Sequence, residues 1–138
     1  MADERIDRLK AVPLFTGLSD RDLRHVLDVA KEVHHRDGHV VVEEDKTAVG
    51  FHLILDGGAE VTIGGMFVAT ASSGDYFGEM SIIDGKPRSA TVTARGDLTT
   101  LAIPAWDFER LMQTHPSIMR GLLVALSGRI RKIDSHRA

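Results

Sequence analysis

Glycine is crowded into the middle of this 138-residue chain: ten of its 13 glycines fall between positions 34 and 104. Residues that tolerate positive φ serve tight turns better than helices. Between these glycines the apolar residues come in alternation or in short runs. Val40-Val41-Val42 is a run suited to a buried strand. Phe51, Leu53 and Leu55 alternate with His52, Ile54 and Asp56, and Ala59, Val61 and Ile63 alternate with Glu60 and Thr62. Ala90, Val92 and Ala94 alternate with Thr91 and Thr93, and Leu98 to Ile103 is another β-prone run. Gly64-Gly65 separates the strand ending at Ile63 from Phe67-Val68-Ala69, which signals a two-residue hairpin. Short strands this closely spaced predict a sandwich, roll or barrel.

The flanks read as helices. Ile6, Leu9 and Lys10 begin a short helical pattern that Pro13 ends. Ser19 is a good N-cap, with Asp22 three residues on as a weaker capping box. Leu23, Val26, Leu27, Ala30 and Val33 then follow at helical spacing. Pro104 suits the first turn of a helix through Trp106, Phe108, Leu111 and Met112, with Trp106 and Phe108 expected in the core. His115-Pro116 interrupts it. A final helix is predicted from about Ser117 to Ile133, with Met119, Leu122, Leu123, Leu126, Ile130 and Ile133 on one stripe. The whole chain, 1–138, is expected to be one domain: N-terminal helices over 1–33, a β-roll over 34–104 and C-terminal helices over 105–138.

Composition narrows the chemistry. There is no cysteine, which excludes disulfides, thiolate metal sites and cysteine nucleophiles. The formal net charge of −3 gives no reason to expect direct nucleic-acid binding. No apolar run approaches the ~20 residues that span a bilayer, and the N-terminus is too charged for a secretory signal, so a cytoplasmic location is the default. Charge is nonetheless divided. Residues 34–104 carry five basic and ten acidic side chains, whereas residues 105–138 carry six basic and three acidic ones.

The segment from Gly74 to Val92 is unusual for a plain loop. Glu79 and Arg88 flank Met80 to Ile83, a stretch able to form one helical turn. Gly78 lets the backbone approach something closely, and free N–H groups at a helix start suit an anion. Arg88 offers a planar fork matched to phosphate oxygens, and Ser89 adds a hydroxyl and an N–H. Glu79 is an acceptor suited to a sugar hydroxyl. On spacing alone, a structural Glu79–Arg88 salt bridge fits equally well.

Phe77-Gly78-Glu79 and Pro87-Arg88-Ser89-Ala90-Thr91-Val92 resemble the phosphate-binding cassette, residues 77–92 here, of the cyclic-nucleotide-binding domain family. Catabolite-activator-type regulators and kinase regulatory subunits belong to that family. Gly38, Phe51 to Leu55, Gly57 and Leu14-Phe15 with Gly17-Leu18 also fall where the family's features fall. The resemblance implies an eight-stranded antiparallel jelly-roll-like β-roll with N-terminal helices and a C-terminal lid helix. It implies that Glu79 binds the ribose 2′-hydroxyl and Arg88 the cyclic phosphate. Backbone N–H groups at Ser81 and Ser89 would add phosphate contacts, with Gly78 allowing close approach and Met80 and Ala90 completing the ligand-binding set. Arg129, Ile133 and Asp134 of the last helix are the candidate base or lid contacts, although Ile133 cannot read a base by hydrogen bonding. Asp45 stands where the family often has glycine, a change that Asp tolerates in a left-handed turn.

The implied function is a non-catalytic sensor of cAMP, ahead of cGMP, that signals by moving its C-terminal helix. No metal or other cofactor is expected. The implied partners are the nucleotide and either a second copy docked through that helix or an effector protein. Alternatives are the sensor part of a catabolite-activator-type transcription regulator and a cupin-like metalloprotein using His35, His39 and Glu43. A nucleophile with a paired base is missing from the sequence pattern, which argues against an enzyme.

Overall fold

A computed structural model describes residues 4–46 and 50–137, with side chains described as far as 134. The first helix, α1 (Glu4–Lys10), buries Ile6 and Leu9, and a 3₁₀ turn at Pro13–Phe15 buries Leu14 and Phe15. Helix α2 (Asp20–Val29) begins in a complete capping box. The Ser19 hydroxyl accepts from the Asp22 N–H at 3.1 Å, and Asp22 accepts from the Ser19 N–H at 3.4 Å.

Helix α2 stops short of its predicted end. Ala30 is already extended, and Val33 lies in β1 (Lys31–His35), which pairs antiparallel with Ala102–Leu98. The spacing from Ala30 to Val33 is helical, but pairing with a distant strand wins over local periodicity. Strand β2 (Val40–Val42) buries only Val42, and Val40 is 44% exposed rather than buried as predicted.

Two 14-residue strands form the backbone of the roll: β3 (Gly50–Ile63) and β6 (Thr91–Pro104), paired antiparallel along their length. The sheet is completed by β4 (Met66–Ser72), which follows β3 through the Gly64-Gly65 turn, and by β5 (Tyr76–Phe77) against His52 and Leu53. Both turn glycines have positive φ, as the hairpin required. The described residues therefore hold six strands, not eight. The strands expected on either side of Gly57 and Gly96 are continuous: β3 and β6 run through these positive-φ glycines, with the pairing shifted in register beside Gly57. The register slips twice between Ile54 and Gly58, so interior positions on β3 change from even to odd numbering.

Helix α3 (Glu79–Asp84) is the predicted short turn. Helix α4 (Ala105–Thr114) takes Pro104 as its N-cap rather than in its first turn. It buries Phe108, Leu111 and Met112 but leaves Trp106 71% exposed, against the expectation of a core residue. Helix α5 (Pro116–Arg137) buries Ile118 and Leu122, whereas Met119, Leu123, Ile130 and Ile133 of the expected stripe are exposed. The main core lies between the helices and one face of β3 and β6, where Phe51 and Phe108 stack with ring centroids 4.2 Å apart. A second cluster of Val42, Ile54, Ala59, Val92, Ala94 and Leu98 fills the roll interior. Among the described residues, no helix is long and apolar enough to cross a membrane.

Candidate functional site

The 77–92 segment folds over the small-residue cluster of the roll interior and encloses a cavity of about 480 Å³. Its walls are mostly apolar, from Val42, Val61, Val68, Ala69 and Val92 on four strands. Gly78, Glu79, Met80, Ser81, Arg88, Ser89 and Ala90 all line it, and Arg129 reaches it from α5. Seven cassette positions and one helix position expected from sequence are thus brought together. Ile133 and Asp134 are not: both are exposed and lie outside the lining. Sequence reasoning did not identify the strand residues in the wall, nor Tyr76, since valine and alanine in strands carry no signal for a cavity.

Two left-handed glycines bound α3: Gly78 with φ 97° and Gly85 with φ 70°. Gly78 also needs its missing side chain. A Cβ there would sit 2.5 Å from the Gly50 carbonyl oxygen and 2.9 Å from Arg88 Nη1. That same carbonyl accepts a hydrogen bond from Arg88 Nη2 at 2.9 Å. The Arg88 backbone is fixed as well. Its N–H donates to the Lys46 carbonyl at 2.9 Å, and its carbonyl accepts from the Asp45 N–H at 2.8 Å. Asp45, expected to tolerate a left-handed turn, adopts positive φ (67°) and so makes this clamp without glycine.

Glu79 and Arg88 are 5% and 6% exposed, far more buried than carboxylate and guanidinium groups usually are. Among the described residues no ion pair joins them, which removes the simple salt-bridge reading. Glu79 instead meets Arg129 Nη1 at 3.8 Å through Oε1. Its Oε2 is buried without a hydrogen-bond partner. Burial raises the Glu79 carboxyl above its usual range, opposed by its own backbone N–H and by the charges of Arg129 and Arg88. Burial also lowers Arg88, against the pull of Glu79. An unpartnered buried carboxylate oxygen costs free energy unless something donates to it. The cavity therefore presents a free acceptor at one place and a cation at another, within one apolar wall. Behind it His52, stacked on Phe77 at 5.1 Å, is pushed down to about 4, by burial first and then by the Arg88 and His35 charges.

Similarity to known proteins follows the same residues. Residues 32–115 match the cyclic nucleotide-binding domain family. The cAMP-dependent protein kinase regulatory subunit of Eremothecium gossypii is 33% identical over 115 residues, covering 83% of this chain and 25% of that protein. Its counterpart in Yarrowia lipolytica is 35% identical over 106 residues, covering 75% of this chain and 28% of that protein. This chain thus spans about a quarter of these relatives' length. The Thermus thermophilus catabolite activator protein superposes with a TM-score of 0.80 at 26% identity, over 90% of this chain and 61% of that one. The regulatory domain of Toxoplasma gondii PKA, crystallised with cAMP, gives a TM-score of 0.80 at 25% identity, over 90% and 48%. The family match covers both Glu79 and Arg88, and the chain belongs to the cyclic nucleotide-binding domain family.

Proposed function

We propose that this chain is a non-catalytic sensor of cyclic nucleotides and that cAMP is preferred over cGMP. The observation that carries the reading is the buried, unpartnered Glu79 Oε2 in the same cavity as Arg88. In this reading Oε2 accepts the ribose 2′-hydroxyl and Arg88 pairs with the cyclic phosphate. The backbone N–H groups of Ser81 and Ser89 donate to phosphate oxygens. Gly78 keeps the wall low enough for the sugar, and Met80 and Ala90 close its sides. The apolar strand walls take the base, which supports a purine without fixing which one. The cAMP-bound Toxoplasma relative supports cAMP as the first ligand to test.

Signalling in this reading runs through α5. Arg129 ties that helix to Glu79 at 3.8 Å, so a ligand hydroxyl arriving at Glu79 competes with or reinforces a contact made by the helix. A ligand that prefers one position of α5 shifts its population by that preference and no more. Ile133 and Asp134 lie further along α5 and reach the base only if the helix swings inward. The exposed apolar residues of α5 then face a second copy or an effector. A protein kinase is one such effector, given the relatives' identity, and a transcription regulator's remaining domains are the alternative.

Calorimetry and thermal melting with cAMP, cGMP and 5′-AMP test the proposal. Saturable binding of a cyclic nucleotide, with about 2.7 kcal/mol of stabilisation at 100 times Kd, is expected. No heat and no melting shift with either cyclic nucleotide at millimolar concentration would sink it.

A further inference from the structure

Away from the nucleotide cavity, Asp22 and His25 of α2 meet His115 at the corner between α4 and α5. One ligand atom from each lies within 4.8 Å of the other two. Asp22 and His25 are three residues apart and share a face of α2. His115 comes from the other end of the chain to place Nε2 3.3 Å from Asp22 Oδ1. Its Nδ1 turns inward, 3.3 Å from the Leu111 carbonyl oxygen and 2.9 Å from the Thr114 hydroxyl. In the tautomer that donates from Nδ1 to that carbonyl, Nε2 turns a bare lone pair toward Asp22. Asp22 Oδ2 accepts from the Ser19 N–H, which leaves Oδ1 for His115. With that tautomer, a cation between Nε2 and Oδ1 satisfies both acceptors at once. A proton would serve two atoms, but His25 supplies a third, its ring 6.3 Å from that of His115.

We propose that Asp22, His25 and His115 bind a divalent transition cation of the zinc class. Two imidazoles and one carboxylate suit such an ion. Bonds of roughly 2.0–2.1 Å at tetrahedral angles put neighbouring ligand atoms about 3.3 Å apart, the spacing that Asp22 and His115 already have. His25 is exposed, so its ring is free to turn inward and close the remaining gap. The Leu111 carbonyl behind His115 is the outer hydrogen-bond partner that commonly orients a ligating histidine. A fourth position stays open to water. The histidine set considered from sequence, His35 and His39 with Glu43, does not gather in this way: His35 and His39 stack as rings, 5.3 Å apart.

The test is titration of chelator-treated protein with Zn²⁺ by calorimetry and with Co²⁺ by visible absorption. One equivalent is expected to bind, with d–d bands from Co²⁺ that Zn²⁺ abolishes. His25→Ala removes an exposed ring, and Asp22→Asn keeps an oxygen for the Ser19 N–H, so both variants retain the fold. Each is expected to weaken Zn²⁺ binding at least about tenfold, while His39→Ala leaves it unchanged. Absence of saturable binding to the unsubstituted protein overturns the proposal. So does binding that survives both His25→Ala and Asp22→Asn, or that disappears with His39→Ala.

Discussion

Strand β3 has two sides built to different rules. Toward the helices it presents Phe51, Leu53 and Leu55, which pack with Leu101, Ile103 and Phe108 in a core of large side chains. Toward the roll interior the neighbours are smaller, Val42, Ala59, Val92 and Ala94 with Ile54 and Leu98, and beside them lies a cavity that holds two buried charges. Close packing of large apolar groups stabilises a fold. A cavity and an unpartnered carboxylate oxygen destabilise it. The difference teaches that the helix side supplies stability, which the cassette side gives up in order to hold a ligand. If so, substitutions on the two sides should separate stability from binding.

The largest effect is expected at Phe108, which is fully buried and lies on the helix side. It is a cleaner probe than Phe51, whose neighbour Gly50 anchors Arg88. Phe108→Ala should cost about 3–5 kcal/mol in urea unfolding. Nucleotide affinity, measured well below the lowered melting point, should stay within about twofold. An affinity that falls in step with stability would merge the two sides into one cooperative unit.

Acid should attack the other side first. His52 lies on the opposite face of β3 from Phe51, shares the Thr100 hydroxyl with His35 and titrates at about 4 against an ordinary 6.5. Between those values the unfolded chain binds a proton that the folded chain refuses. Stability is therefore whole above pH 6.5 and is lost as pH falls to 4, by up to about 3 kcal/mol. His35, also lowered, acts in the same direction. Urea unfolding of the wild type between pH 7.5 and 4 should show this slope, and His52→Gln should remove most of it, leaving the smaller part that His35 contributes. A slope undiminished in the variant would assign the acid sensitivity elsewhere.

Arg88→Lys comes next. It keeps a positive charge near Glu79 but loses the planar fork. Cyclic-nucleotide affinity should fall by one to two decades, roughly 1.5–3 kcal/mol, read by calorimetry. Unchanged affinity would mean that the guanidinium serves the Gly50 carbonyl rather than a ligand.

The two sides also differed in how legible they were. That Gly78, Glu79, Ser81, Arg88 and Ser89 line one cavity could be read because they sit within one short segment. The capping box at Ser19, the Gly64-Gly65 hairpin and the positive φ of Asp45 were legible for the same reason, since each is decided by neighbouring residues. What was not legible depends on distant partners. Val33 left its helix to pair with Thr100, and β3 and β6 run through Gly57 and Gly96 because each holds the other in place. Only the packed structure shows that the Gly50 carbonyl anchors Arg88, or that Trp106 faces outward from α4. The apolar residues of α5 follow helical spacing, but spacing does not say how much of the helix the rest of the chain covers.

Glu79→Gln carries the smallest effect and the sharpest test, because its two consequences have opposite signs. Burial disfavours the Glu79 carboxylate in the folded protein, raising its pKa above the usual range despite its own N–H, Arg129 and Arg88. For such a group the folded state binds a proton more readily than the unfolded one. Stability therefore rises as pH falls toward the ordinary carboxyl range, and neutral pH is where the charge costs most. Glutamine imitates the protonated form. The ligand-free variant should gain about 1 kcal/mol in urea unfolding at pH 7; losing the 3.8 Å contact with the exposed Arg129 should offset little of this. Its amide oxygen accepts a hydroxyl more weakly than a carboxylate, so cyclic-nucleotide affinity should fall about tenfold. If stability falls together with affinity, Glu79 is holding the cassette together rather than waiting for a ligand, and the division between the two sides of β3 fails at its most charged residue.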